Sequence, residues 1–101
     1  MTVSASLQKI RAYLTEKVWV QGKSGAWPLQ ACLSTAVLFM SPLYPYEGME
    51  IRGYLEDAIF SLFPDRGGSI IEFNDHPHTT LDDVHRVIDR AWEMEALSPL
   101  Y

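Results

Sequence analysis

All three histidines of the chain fall within one polar window, inside 70-IIEFNDHPHTTLDDVHRVIDRAW-92. His76, His78 and His85 stand there beside Asn74 and Asp75. Imidazoles and carboxylates are the groups that bind metals and move protons. His76 and His78 flank Pro77, and in an extended segment both rings can turn to one side and take two positions on a Zn²⁺. Asp75 or His85 then supplies a third ligand. Structural zinc sites use four ligands, mostly Cys and His, and Cys32 lies far away in sequence. Metal binding at His76 and His78 therefore stands as an alternative, and no cofactor is expected. Acid–base chemistry is the other use: Asp75 orients His76 as a base. Cys32, Ser34, Thr79 and Thr80 are nominal nucleophiles. No nucleophile elbow, phosphate loop or dinucleotide fingerprint accompanies them. No catalytic residue is assigned on this basis. A small hydrolase, or a protein binding a small ligand or metal through Asn74, Asp75 and His76, remains the alternative function.

Local structure accounts for the same residues without chemistry. Thr80 at an N-cap with Asp83 three residues on makes T-L-D-D a capping box with Asp in the usual Glu position. Asp82 and Asp83 complement the positive end of a helix dipole. Asn74 and Asp75 are turn formers, and His76, preceding Pro77, is biased towards extended geometry.

Stepping along the chain, a first helix is expected over about 6–17, from the spacing of Leu7, Ile10, Leu14 and Val18. Val18 to Val20 is β-prone, and Gly22 with Gly25 reads as a turn that could form a short hairpin with 26–27. A second, largely buried helix follows Pro28, with Leu29, Cys32, Leu33, Ala36, Val37 and Met40 in one stripe. The loop 41-SPLYPYEG-48 separates it from a third helix over about 49–63. Ser69 to Phe73, with adjacent Ile70 and Ile71, reads as a short strand whose partner is 18–20. A last helix covers about 81–96, with Leu81, Val84, Ile88, Ala91 and Trp92 on its apolar face. Asp82 and Arg86 on its solvated face are spaced as an ion pair. The expected architecture is a single domain over 1–101, mainly α, of four helices with a possible two-stranded pairing of 18–20 with 70–73.

The chain has 101 residues and a net charge of −5. There is no basic surplus to release counterions from a phosphate backbone, so direct nucleic-acid binding is not expected. One cysteine permits no internal disulfide, which suits a reducing, cytoplasmic setting. The N-terminus has no apolar signal region, and the longest apolar run, 36-AVLFM-40, is too short to span a membrane.

Three short motifs, 19-WVQG-22, 32-CLSTA-36 and 73-FND-75, precede a Thr-capped last helix. In these the sequence resembles a bacterial and phage family, domain of unknown function 6197. The resemblance runs from the first helix to Trp92. It implies a compact, mainly helical domain from actinobacteria, other bacteria or their phages, and carries no established activity. The family usually has Trp where Phe73 stands, and a Pro-Gly-Arg-Thr type of turn at 76–79. His76 and His78 are therefore outside its pattern, whereas Asn74 and Asp75 are within it.

The expected function is a small non-enzymatic module that docks on another protein, as a phage accessory or anti-defence inhibitor does. The partner is a protein, with no nucleic acid and no membrane, and the chain is a monomer or weak homodimer. Trp19, Trp27, Tyr44 and Tyr46 are the candidate anchors, since aromatic side chains in loops suit interfaces. Asn74 and Asp75 join them as candidate binding residues.

Overall fold

A computed structural model describes residues 3–22, 29–40 and 45–97, with the side chains of 45–48 excepted. The described residues form the helices α1 (Val3–Tyr13), α2 (Leu33–Met40), α3 (Pro45–Leu62), α4 (Ile70–Asp75) and α5 (Leu81–Leu97). The chain is mainly helical, and no described residues form a sheet.

One core joins the elements. Leu7, Ile10 and Leu14 from the α1 region meet Leu33, Ala36 and Val37 of α2, Ile51, Leu55, Ala58 and Ile59 of α3, and Val84, Val87, Ile88 and Ala91 of α5. Helix α5 packs on both α1 and α3, and α2 packs on α1 and α4. The apolar stripes at helical spacing in α1, α2, α3 and α5 are thus buried as their periodicity requires. Besides Leu29, Trp92 is an exception: it is exposed. It lies roughly 80° round the helix from Val84, at the edge of the stripe rather than in it.

Helix α5 begins as a capping box. Thr80 Oγ1 accepts from Asp83 N and Asp83 Oδ2 accepts from Thr80 N, each at 3.2 Å. Arg86 lies over the Phe63 ring at 5.4 Å, and the α5 acids paired across elements are Asp83, with Arg66, and Asp89, with Arg11.

The expected strand at 69–73 is instead the start of a further helix, α4. Ser69 is its N-cap, with Oγ accepting from Glu72 N at 3.1 Å. Ile70, Phe73 and Asn74 are buried while Ile71 is exposed, a helical i, i+3, i+4 pattern rather than an alternation. The pattern S-I-I-E at 69–72 is the capping-box signature, and it outweighs the β preference of two adjacent isoleucines. Gly67, with φ +93°, leads into this turn, and a Cβ there would lie 2.5 Å from Glu72 Cβ. Only glycine accommodates both the left-handed backbone and that approach.

The expected pairing of 18–20 with 70–73 is accordingly absent. Segment 18–20 lies along Ala31: Ala31 N donates to Val18 O at 2.9 Å and Val20 N to Ala31 O at 3.2 Å, a parallel bridge between Trp19 and Ala31. This bridge also explains why α2 starts at Leu33 rather than near Leu29. The chain is extended at Ala31, and Leu29 is exposed. The hairpin arm expected at 26–27 lies outside the described residues.

Candidate functional site

The polar residues of 73-FND-75 are positioned by α4, and Asn74, at its inner face, is completely buried. Burying a primary amide is costly unless every donor and acceptor finds a partner. Here all do. Asn74 Oδ1 accepts from Trp19 Nε1 at 2.7 Å and from Leu33 N at 3.0 Å. Its Nδ2 donates to Val20 O and to Asp75 Oδ1, both at 3.0 Å. One side chain thus fastens the 18–20 segment and the first turn of α2 to α4.

The neighbours complete the junction. Asp75 Oδ1 also accepts from Gly22 N at 2.8 Å, where Gly22 turns the chain with φ +73°. Gln21 Nε2 donates to Asn74 O and His76 O at 2.9 Å and to Thr79 O at 3.1 Å. These carbonyls lie at and just beyond the end of α4, where backbone acceptors have no intrahelical partner. Gln21 therefore closes α4 from outside. Sequence reading did not single it out, although it stands between Trp19 and Gly22 in the quoted 19-WVQG-22.

The start of α2 is satisfied from two sides. Asn74 takes Leu33 N, and Cys32 Sγ accepts from Thr35 N at 3.4 Å, with Thr35 Oγ1 3.2 Å from the sulfur. Cys32 is buried and stands where a capping residue stands. Ser34 Oγ accepts from Arg52 Nη2 at 3.3 Å.

A second polar cluster lies beside the junction. Arg66 Nη1 donates to Thr79 Oγ1 and to Asp83 Oδ2, both at 3.1 Å, with the guanidinium 4.7 Å above the Phe63 ring. Burial pushes the Asp83 carboxyl up. The hydrogen bonds from Arg66 and Thr80, and the charge of Arg66, outweigh it and hold the carboxyl below its ordinary 3.8.

The histidines are dispersed in role. His76 Nδ1 accepts from His78 N at 3.1 Å, and the two rings meet edge-on with centroids 5.3 Å apart. His85 Nε2 instead lies 2.7 Å from Leu14 O, just past the end of α1. Among the described residues, no three His, Cys, Asp or Glu side chains come together in a metal-binding group. Of the candidate anchors, Trp19 is brought against Asn74, with its indole N–H used there. Trp27 and Tyr44 lie outside the described residues, as does the side chain of Tyr46.

The family model described as Family of unknown function (DUF6197) matches residues 1–94. The chain belongs to this family. No curated protein and no solved structure matches it. The three motifs of the DUF6197 resemblance, far apart in sequence, meet at Asn74 and Asp75: 19-WVQG-22 through Trp19, Val20 and Gln21 on Asn74 and Gly22 on Asp75, 32-CLSTA-36 through Leu33, and 73-FND-75 itself. Phe73 is fully buried and stacked on Phe63 with centroids 5.6 Å apart. In this DUF6197 chain that position is an aromatic core position.

Proposed function

We propose that this chain is a small non-enzymatic protein-binding module, a phage accessory or anti-defence inhibitor that docks on a host protein in the cytoplasm. One observation carries the reading. The polar groups that could have formed a reactive cluster bond one another and the backbone, while large apolar side chains on the helices face outward. Asn74, Gln21 and Asp75 tie the chain together. Leu38, Phe39, Met49 and Phe60 are exposed. Exposed apolar side chains are what a partner surface buries. The net charge of −5 and the small size suit an inhibitor that meets a cationic site on its target. Among the described residues no helix is long and apolar enough to cross a membrane.

The test is affinity capture of a host protein, followed by reconstitution with that protein purified. A stoichiometric complex on sizing, with the target's activity reduced, is the expected result. Recovery of no protein that re-forms a complex with the pure chain sinks the proposal.

A further inference from the structure

Helix α3 has a buried face made of Ile51, Leu55, Ala58 and Ile59. Its opposite face carries Met49, Gly53, Glu56, Asp57 and Phe60, at i, i+4, i+7, i+8 and i+11. Met49 is 68% exposed and Phe60 75% exposed. They stand about 16 Å apart along the helix axis. Between them is Gly53, in the interior of an 18-residue helix.

Among the described residues nothing requires that glycine. A Cβ built on it meets no atom of the described residues within 4 Å, and its φ is not positive. Glycine inside a helix is less stable than alanine, because it loses more backbone freedom and packs nothing. An exposed, unfilled notch between two outward apolar side chains lets another backbone approach the α3 axis closely. Glu50, Glu56 and Asp57 flank the notch. Arg52, the cation of this stretch, is directed to Ser34 Oγ at 3.3 Å.

We infer that the Met49–Gly53–Phe60 face of α3 is the docking surface, and that its occupant is a cationic amphipathic helix of the partner protein. This rests on the docking function proposed above and names the face and the partner chemistry. The acidic flanks select the occupant. A second copy of the chain, paired about Gly53, would set Glu56 and Asp57 against their own equivalents, and facing like charges disfavour that pairing. A helix with an apolar stripe bordered by Lys or Arg fills the notch, covers Met49 and Phe60, and meets the carboxylates.

The probe is a synthetic amphipathic helical peptide with a Leu stripe and Lys flanks, compared with its Leu–Glu counterpart by titration calorimetry on the full chain. The Lys peptide is expected to bind and to weaken with salt, and the Glu peptide not to bind. Phe60→Ser is expected to weaken binding at least tenfold or so, as for a buried aromatic anchor. Gly53→Ala separates docking from folding: it should raise the melting temperature by a few degrees while weakening the peptide. Equal binding of both peptides overturns the proposal. So does unchanged Lys-peptide affinity in Phe60→Ser and Gly53→Ala, or a concentration-dependent dimer that Phe60→Ser abolishes, which assigns the face to a second copy. A host-protein complex that survives both substitutions removes α3 from the interface and leaves the docking function. Absence of any complex with the unaltered chain removes the docking function itself.

Discussion

The junction around Asn74 and the outer face of α3 are opposite solutions to the same problem of what to do with a side chain. At Asn74 every donor and acceptor has a partner within the chain. On α3, Met49 and Phe60 are left largely uncovered, and Gly53 leaves space beside them unfilled. The first region converts polar groups into structure. The second spends helix stability without return from any described residue. Asn74 and Asp75 are therefore tied into the fold here, and Gly53 is the position that no contact among the described residues explains.

The largest expected effect comes from breaking the junction. Asn74→Ala leaves Leu33 N without its partner in the core, and Trp19 Nε1 and Val20 O without theirs in a half-buried place. Each orphaned group costs about 1–3 kcal/mol, so a loss of at least about 3 kcal/mol is expected by urea denaturation. That is a large part of the roughly 5–15 kcal/mol available to a domain. A loss below 1 kcal/mol or so would mean that the buried amide is not the fastening point.

Next is the Arg66–Asp83 pair, whose side chains are only 16% and 15% exposed. Arg66→Ala, which strands a carboxylate, is expected to cost about 2–3 kcal/mol, somewhat less than for a fully buried pair. The pH dependence has a definite sign. The folded-state pKa of Asp83 lies below 3.8, so its contribution is complete above that value and disappears as pH falls through the folded pKa. Asp83→Asn should flatten the stability profile below about pH 4, and an unchanged acid slope in this variant excludes Asp83 as its source.

Trp19→Phe is a smaller test of the junction. It keeps a ring but deletes the donor to Asn74 Oδ1, which retains Leu33 N. A loss of about 1 kcal/mol is expected in the same denaturation assay. The smallest effects belong to α3, and one has the opposite sign. Gly53→Ala should add about 0.5–1 kcal/mol, and Phe60→Ser should stay within about 0.5 kcal/mol of the parent. A substantial loss in either variant would show that this face is packed within the chain, and the contrast with Asn74 would collapse.

Much of the helical framework is legible in residue order. The apolar stripes of α2, α3 and α5 repeat at helical spacing, and Thr80 with Asp83 announces the start of α5. Helix α4 was not recognised, because in so short a window adjacent Ile70 and Ile71 read as strand. The capping pattern from Ser69 to Glu72 and the spacing of Ile70, Phe73 and Asn74 were the signals that decide it. Asn74 and Asp75 stand out in the sequence as a pair, but their partners cannot be read from it. Trp19, Gly22 and Leu33 lie 41 to 55 residues away, and no local rule relates such distant positions. Gln21 was missed for the same reason: its partners are carbonyls, which every residue carries.

Those separations bear on time as well as on energy. Asn74 can bond Trp19, Val20 and Leu33 only after α1, α2 and α4 have reached one another, because closing long loops costs entropy before any bond rewards it. The junction then acts as a latch shut late, after the helices have assembled. Weakening it should leave the refolding rate nearly unchanged and make the native chain open faster, which stopped-flow traces of Asn74 and Trp19 variants would display as a steeper loss of lifetime than of folding speed.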